Sequence, residues 1–389
     1  MEPDSLLFSF FLIFSGAALL STLALFFRQP LLVAYILIGV ILGPFGLQFI
    51  SDPTLLTDIA EFGIIFLLFL LGLDMQPSKL FTTLRKTFLV TLASSIVFVV
   101  LGYGTGMLFA YSQTESLVIG FSMIFSSTII GIKLIPTTVL HHRHTGELVV
   151  SLLLMQDLFA IVILLVLGGG LIGSADYYNL VQAMLALPAL ILFSFGFVKY
   201  VLLRLLAQFD AFHEYIFLLA IGWCLGVAEI AELAGLSLEI GAFIAGISIA
   251  TSPIALYIAN NLKPLRDFFL VLFFFSLGAS FNLDMVPDIL LPTIVLSVLV
   301  LTGKPFIFRI LLQRVSESLP LAWEIGFRLG QISEFSLLIA FIAAREALIG
   351  QEASHVIQAT AIITFLVSSY LVVFRYPTPI AVSDTLRRD

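Results

Sequence analysis

The sequence predicts an all-α polytopic membrane protein with 13 transmembrane helices, inverted repeats and two crossing broken helices. Of its 389 residues, 60% are hydrophobic and only 11% are charged, and the mean hydropathy is +1.14. A soluble chain would need more polar residues to cover its surface. We therefore expect residues 1–376 to form one transmembrane domain and residues 377–389 to form a short cytoplasmic tail.

Thirteen apolar segments follow one another along the chain, each bounded by polar, Gly or Pro residues. Most hold about 20 residues, enough for a helix to cross roughly 30 Å of hydrocarbon and about twice the length of a barrel strand. The first segment lacks a basic leader and a cleavage site, so we expect a retained helix. The segments begin near residues 5, 30, 55, 87, 115, 147, 178, 214, 236, 265, 286, 319 and 353.

Lys and Arg residues fall on alternate connections between these segments. Arg28, the cluster of Lys79, Arg85 and Lys86, and then Arg143 lie on one side, whereas the connections at 51–54, 112–116 and 173–179 carry no basic residue. Basic connections face the cytoplasm in membrane proteins. This pattern predicts that the N-terminus lies outside and the C-terminus in the cytoplasm.

Internal similarity predicts a duplication. LLFLLGLDM at 67–75 resembles LFFFSLGAS at 272–280, and IGF at 119–121 recurs at 325–327, so both pairs are offset by 206 residues. The offset equals seven segments, and an odd number reverses the direction across the membrane. We therefore predict inverted repeats over about 30–171 and 236–375, an arrangement typical of secondary transporters with a substrate site near the midplane.

Several charged residues lie inside apolar segments. Asp157 interrupts the sixth segment within LMQDLF at 154–159, and Lys133, Lys304 and Arg328 also lie away from the segment ends. Charged groups are costly at this depth and usually mark an ion or proton pathway. We expect Asp157 to belong to a small buried polar set, with the three basic residues as charge support.

The fifth and twelfth segments have the most polar centres, SMIFSSTIIG at 122–131 and RLGQISEFS at 328–336. Interrupted helices leave main-chain groups that must line a cavity or contact another helix. We predict that both helices are broken and cross beside Asp157. The alternative is that these small residues only allow close helix packing. The predicted crossover residues are Ser126, Ser127, Thr128, Ser333 and Glu334.

Six motifs together resemble the monovalent cation:proton antiporters, and in particular the Kef-type potassium:proton branch of the CPA2 group. The resemblance implies thirteen helices, a core domain that moves against a dimerisation domain, and a homodimer. It also implies that Asp157 binds K⁺ or Na⁺ in exchange for a proton, and that the neighbouring Gln156 favours K⁺. The motifs are GVILGPFGL at 39–47, AEFGIIFLLFLLGLDM at 60–75, SST at 126–128, LMQDLFAI at 154–161, FFFSLGAS at 273–280 and GQISEF at 330–335.

The expected function is K⁺/H⁺ exchange by alternating access, electroneutral because Gln156 leaves one carboxylate at this position. The alternatives are a Na⁺/H⁺ antiporter of the same fold and a K⁺ channel-like protein. We expect no enzyme, because an intramembrane aspartyl protease needs two deep aspartates and both Asp74 and Asp284 lie at segment borders. No cofactor is expected besides the transported K⁺ or Na⁺ and H⁺, and the resemblance implies a bacterial inner membrane.

The sequence departs from the Kef-type pattern in two places. Lys133 makes the fifth segment more basic, and the chain ends soon after Arg375 without a G-x-G-x-x-G motif. We expect any cytoplasmic regulatory domain or subunit to lie outside this chain, and the expected partners are lipid and monovalent cations but no nucleic acid. His141, His142 and His144 suit a solvated loop, with pH sensing or zinc binding as alternatives.

Overall fold

The computed structural model describes residues 6–27, 29, 31–50, 54–74, 77–127, 144–168, 177–209 and 212–376. Every regular element in these ranges is helical, which confirms the predicted fold class. A π-helical stretch, Val198–Leu202, joins α7 to α8, and a short 3₁₀ turn, Leu283–Met285, precedes α12. The α-helices are α1 Leu6–Phe26, α2 Leu31–Leu42, α3 Thr54–Asp74, α4 Pro77–Leu108, α5 Gln113–Ser122, α6 His144–Gly168, α7 Tyr177–Phe197, α8 Leu203–Gln208, α9 His213–Leu233, α10 Leu238–Ala250, α11 Ile254–Ala279, α12 Val286–Arg314, α13 Leu319–Arg328, α14 Glu334–Arg345 and α15 Gln351–Arg375.

Within the described ranges, seven helices are long and apolar enough to cross a membrane. Shorter apolar helices occupy Leu31–Leu42, Phe62–Leu73 and Leu238–Ala250. The count of thirteen crossings stays a prediction. Two helices begin about ten residues before the predicted apolar segments, α4 at Pro77 and α11 at Ile254, because hydropathy locates the apolar part of a helix and misses its polar first turns.

The chain divides into two compact units. Unit 1 comprises Met1–Ala17, Tyr35–Thr82 and Leu164–Ser280, and unit 2 comprises Ala18–Ala34, Thr83–Ile163 and Phe281–Asp389. In unit 1, α3 packs against α10 and α11, and α9 packs against α10. In unit 2, α12 packs against α13 and α15, while α14 packs against α15 and α5.

Glycines bring helices of unit 1 into main-chain contact. A methyl group on Gly278 of α11 would lie 2.0 Å from the main-chain oxygen of Ile36 in α2. Likewise, a methyl group on Gly246 of α10 would lie 2.1 Å from the main-chain oxygen of Phe69 in α3. Gly278 and Phe69 lie in the two stretches that the repeat analysis matches, 272–280 and 67–75. The repeat boundaries themselves remain a prediction.

Candidate functional site

The predicted break in the twelfth segment is present in unit 2. α13 ends at Arg328 and α14 begins at Glu334, so the intervening residues are not helical. Ser333 caps α14, since its hydroxyl accepts a 3.1 Å hydrogen bond from the main-chain N–H of Phe335. The hydroxyl of Ser336 in turn accepts a 3.3 Å bond from the N–H of Ser333. This reciprocal capping satisfies N–H groups that the interruption would otherwise leave free.

The fifth segment also loses its helical form near the predicted position. α5 ends at Ser122, and a turn then leads into non-helical residues up to Ser127. The side chains of Ser126 and Ser127 are fully buried. Two other predicted residues of this segment, Thr128 and Lys133, lie outside the described residues. The described half of the segment therefore ends in unwound backbone inside the protein.

Serine hydroxyls tie the two unwound segments to each other. Ser126 Oγ donates a 2.8 Å hydrogen bond to the main-chain oxygen of Leu329, just after α13. Ser336 Oγ donates a 2.6 Å bond to the main-chain oxygen of Ser122, at the end of α5. Carbonyls at a helix end lack partners within the helix. Each half-helix end is therefore satisfied by a hydroxyl from the other segment, so the two segments meet as predicted.

The Lys304 side chain of α12 forms hydrogen bonds with both unwound segments. Its ammonium donates hydrogen bonds to the main-chain oxygens of Phe125 at 2.6 Å and Gln331 at 2.9 Å, and to Ser126 Oγ at 3.2 Å. Three donated bonds match the three N–H groups of an ammonium, whereas a neutral amine has two. The side chain is only 1% exposed. A cation suits this place, since the carbonyl end of a helix carries partial negative charge.

Consecutive residues of α6 contact this site. The side-chain oxygen of Gln156 accepts a 2.9 Å hydrogen bond from the main-chain N–H of Ser126, while its buried Nε2 has no hydrogen-bond partner among the described residues. Asp157 is 4% exposed and lies close enough to Glu334 for the two carboxyl groups to interact electrostatically. The structure thus brings Gln156, Asp157 and Glu334 to the two unwound segments.

Residues that the sequence did not single out support the break from α15. Ser368 Oγ donates a 2.9 Å hydrogen bond to Gln331 Oε1, and Gln331 Nε2 donates a 3.0 Å bond to the main-chain oxygen of Arg328. Thr364 Oγ1 accepts a 3.4 Å bond from the N–H of Ile332. Thr364 and Ser368 are four residues apart on one face of an apolar helix. This pair of polar residues on an apolar helix is the sequence signal from which their contact with the break could have been predicted.

Arg328 and His144 each contact a glutamate, and the predicted role of Arg328 as charge support stays a prediction. Arg328 is buried, and its guanidinium forms a 2.8 Å ion pair with Glu324 one turn back in α13. His144, at the start of α6, forms an exposed 2.8 Å contact with Glu317. His141 and His142 lie outside the described residues. In the part of the chain that the structure describes, no three His, Cys, Asp or Glu side chains are grouped as metal ligands.

This arrangement can exchange one small cation for another. A carboxylate in a low-dielectric interior needs a counter-charge, which either a proton or a metal cation can supply. Unwound main chain offers the carbonyl oxygens, and serine the hydroxyls, that hard monovalent cations prefer. Asp157 beside the two interlocked segments therefore has the chemistry of a binding group for a proton or an alkali-metal ion.

Known proteins share both the sequence and the fold. The family described as sodium/hydrogen exchanger, transmembrane, matches residues 11–374. K(+) efflux antiporters 5 and 4 of Arabidopsis thaliana are 30% and 31% identical to the chain, each over 80% of it. The chain spans about half the length of these relatives, 56% and 54% respectively.

The fold resembles that of a solved structure described as the sodium proton antiporter MjNhaP1 from Methanocaldococcus jannaschii at pH 8. The TM-score is 0.70 at 17% identity, and the match covers 92% of this chain and 94% of the other. At this identity the likeness concerns the fold alone. The family match over residues 11–374 confirms the resemblance drawn from the motifs, and the chain belongs to the sodium/hydrogen exchanger transmembrane family of monovalent cation:proton antiporters.

Proposed function

We propose that the chain exchanges K⁺ for H⁺ across a membrane by alternating access, with Asp157 as the shared binding group. The observation that carries this proposal is the burial of Asp157 beside two interlocked, unwound segments. A carboxylate at mid-helix is costly unless it binds a counter-ion. Unwound helices around a midplane site are typical of secondary transporters.

Charge balance supports a one-for-one exchange. We assign one positive charge to Lys304 and one negative charge to the Glu334 carboxylate at the start of α14, so these two groups cancel. The remaining carboxylate, Asp157, is then neutralised equally by one proton or one K⁺. Lys304, Glu334 and Asp157 together then have the same net charge with a proton bound as with K⁺ bound. Neither state therefore leaves a buried charge without a counter-charge. Electroneutral exchange is the stoichiometry that this balance favours.

Two considerations support K⁺ over Na⁺. The relatives with 30% and 31% identity are described as K(+) efflux antiporters, and Gln156 places a neutral amide where a second acid would strengthen the field on the ion. A weaker field favours the larger and less strongly hydrated cation. Na⁺/H⁺ exchange on the same site is the second candidate, because the solved structure of similar fold is described as a sodium proton antiporter.

We further propose an orientation, a membrane and partners for the chain. We place the N-terminus outside and the C-terminus in the cytoplasm of a cell membrane, a bacterial inner membrane by family resemblance. The protein works without an enzymatic step or a resident cofactor, as a homodimer that contacts lipid. The relatives are longer than this chain, so a cytoplasmic regulatory domain or subunit is a further proposed partner.

The test is proton movement in proteoliposomes that contain an internal pH dye. K⁺ or Na⁺ is added outside in turn, and the parent chain is compared with Asp157→Asn. We expect external K⁺ to enter in exchange for internal protons and so to alkalinise the lumen, and external Na⁺ to do so less. Asp157→Asn should lose at least about tenfold in rate, because an amide cannot bind a proton and a cation in turn. Asp284→Asn, at an exposed position, is the matched control and should transport like the parent.

A membrane potential that is imposed at an unchanged K⁺ gradient, by a gradient of the permeant anion thiocyanate, separates the remaining candidates. Electroneutral exchange should proceed at the same rate when the membrane potential is changed. Net current without cation-coupled proton flux would identify a channel-like protein and refute exchange. A stronger response to Na⁺ than to K⁺ would move the assignment to a Na⁺/H⁺ antiporter. Unimpaired transport by Asp157→Asn would refute the role of this carboxylate.

A further inference from the structure

Arginines and aromatic rings alternate at one end of unit 2. The guanidinium carbon of Arg309 in α12 lies 5.0 Å from the ring centre of Trp323 in α13. That ring stacks on Phe327 with 5.6 Å between the ring centres. The guanidinium carbon of Arg375, the last residue of α15, lies 5.1 Å from the Phe327 ring centre. These four side chains form what we call the Arg–aromatic row.

The row lies at the end of membrane-spanning helices. Two apolar spans, Leu283–Arg314 and Gln351–Arg375, end in this part of unit 2, and α13 begins shortly after the first of them. Tryptophan, tyrosine and arginine are typical of the boundary between hydrocarbon and lipid headgroups. Trp323 and Phe327 are both partly exposed. The row is therefore at the depth where phospholipid headgroups contact a membrane protein.

Neither arginine of the row has an acidic partner among the described residues. Arg375 hydrogen-bonds the Tyr376 side chain, and the acid of α13, Glu324, is paired with Arg328. The Nε atom of Arg309 is buried without a hydrogen-bond partner among these residues. A guanidinium held against a ring keeps its N–H donors in a fixed plane. The guanidinium groups of Arg309 and Arg375 can therefore bind an anion that the described residues do not supply.

We propose that the Arg–aromatic row binds anionic phospholipid, with a headgroup phosphate at each arginine and the acyl chains along the rings. Guanidinium groups match phosphate oxygens in geometry and charge. Partly exposed rings favour a ligand with an apolar part, which free phosphate lacks. The occupant is therefore a lipid of the surrounding leaflet with a net negative headgroup, such as phosphatidylglycerol.

The position of the row links such a lipid to the candidate site. α13 leads directly into the break at 329–333, α12 carries Lys304, and α15 carries Ser368, which bonds the Gln331 side chain. Lipids bound along the row would contact all three helices and hold together the elements that support the unwound segment. The binding claim itself does not depend on the transported ion.

The test uses the fluorescence of Trp323. The chain has two tryptophans, so Trp223→Phe leaves Trp323 as the reporter. This background is reconstituted in phosphatidylcholine with increasing amounts of brominated phosphatidylglycerol or brominated phosphatidylcholine, whose bromines quench tryptophan on contact. We expect the anionic lipid to associate more strongly by about fivefold for each arginine that contacts it. Arg309→Gln with Arg375→Gln should bring the ratio of the two lipids close to one.

Arg314→Gln is the matched control, because Arg314 is exposed near the end of the same helix and is expected to leave the ratio within about twofold of the parent. Equal quenching by both lipids in the parent, or an unchanged ratio in the double variant, would overturn the proposal. Protection of Trp323 by inorganic phosphate, but not by chloride of equal ionic strength, would indicate a free-anion site and also overturn it.

A second measurement avoids the Trp223→Phe background, since Trp223 donates a hydrogen bond to the main-chain oxygen of Ala245 and the substitution removes it. Native mass spectrometry of the otherwise unchanged chain, with and without the two Arg→Gln substitutions, counts bound lipid directly. Retention of phosphatidylglycerol by the parent and its loss from the double variant is the expected result. Equal retention by both would refute the site.

Discussion

Lys304 and Gln331 are joined by a 2.9 Å hydrogen bond from the lysine ammonium to the main-chain oxygen of the glutamine. The same ammonium donates a 2.6 Å bond to the main-chain oxygen of Phe125. One side chain from α12 therefore holds the unwound parts of two other segments. Removing it leaves buried carbonyls without a donor, which is costly in a membrane protein interior.

Lys304→Met should destabilise the protein although methionine is apolar and similar in length. Two buried main-chain oxygens lose their charged donor, and we expect a loss of about 3 kcal/mol in the free energy of unfolding. Thermal unfolding in detergent checks this as a lower midpoint temperature. The control is Lys263→Met, because among the described residues the Lys263 ammonium hydrogen-bonds only to the exposed Asn260 side chain, at 2.8 Å. Equal midpoints for the two variants would contradict the prediction.

Ser336→Ala should loosen the contact between the segments without removing any charge. The hydroxyl bonds the main-chain oxygen of Ser122 at 2.6 Å and accepts the N–H of Ser333 at 3.3 Å. Its loss should cost about 1–2 kcal/mol and lower the transport rate more than the stability alone explains, because the unwound segments lose their register. Ser280→Ala removes a hydroxyl that bonds one turn back within α11, at 2.9 Å, and serves as the control.

Transport in proteoliposomes and the unfolding midpoint are measured on both serine variants. We expect Ser336→Ala to be impaired in both measurements and Ser280→Ala in neither. If the two variants behave alike, the link between Ser336 and Ser122 has no special role at the site.

The sequence was a good guide to the elements and to the position of the break. Hydropathy and the polar centre of RLGQISEFS located α13, α14 and the interruption between them, because an apolar helix and a polar interruption are local properties of the chain. The partners at the break were not predictable in this way. Gln331 and Ser368 meet across 37 residues, and only the packing of α14 on α15 brings them together.

The partners of the buried charged residues were also not predicted from the sequence. Lys304 was identified because a lysine inside an apolar segment needs a partner. Its partners are main-chain oxygens, which every residue has, so the sequence could not identify them. Arg328 stood out for the same reason, but its charge is balanced by Glu324 on the same helix, at the i−4 position. The sequence contained that alternative, since pairs four residues apart on a helix are neighbours.

Gly278→Ala should disrupt the packing of α11 against α2 in unit 1. The added methyl group would lie 2.0 Å from the main-chain oxygen of Ile36, and main chain cannot move aside as a flexible side chain can. We expect a loss of about 2–3 kcal/mol or failure to fold. Gly226→Ala is the control, since its methyl group meets nothing within 4 Å. Expression yield and the unfolding midpoint distinguish the two, and a normal Gly278→Ala protein would contradict the close approach.

Glu115 links the start of α5 to the loop before α15. Its Oε1 accepts a 3.0 Å hydrogen bond from the main-chain N–H of Gly350, and its Oε2 accepts a 2.9 Å bond from that of Ser112. Partial burial acts to raise the pKa of Glu115, but these bonds and one with the Ser112 side chain outweigh it, so the pKa is lowered from its ordinary value. The charged carboxylate therefore favours the folded state.

The sign of the pH dependence follows from that shift. A carboxyl group with a lowered pKa in the folded protein stabilises it fully above the pKa of the unfolded chain, about 4.3 for glutamate, and loses this contribution as pH falls through the lower folded value. We expect Glu115→Gln to be less stable than the parent at neutral pH, with the difference shrinking below about pH 4.3. Unfolding midpoints measured from pH 7 to pH 3 test this. Ser112→Ala keeps the carboxylate but removes one of its stabilising contacts, so it should lie between the parent and Glu115→Gln at neutral pH. A difference that grows as the pH falls would have the wrong sign and would show that the carboxylate opposes folding at this position.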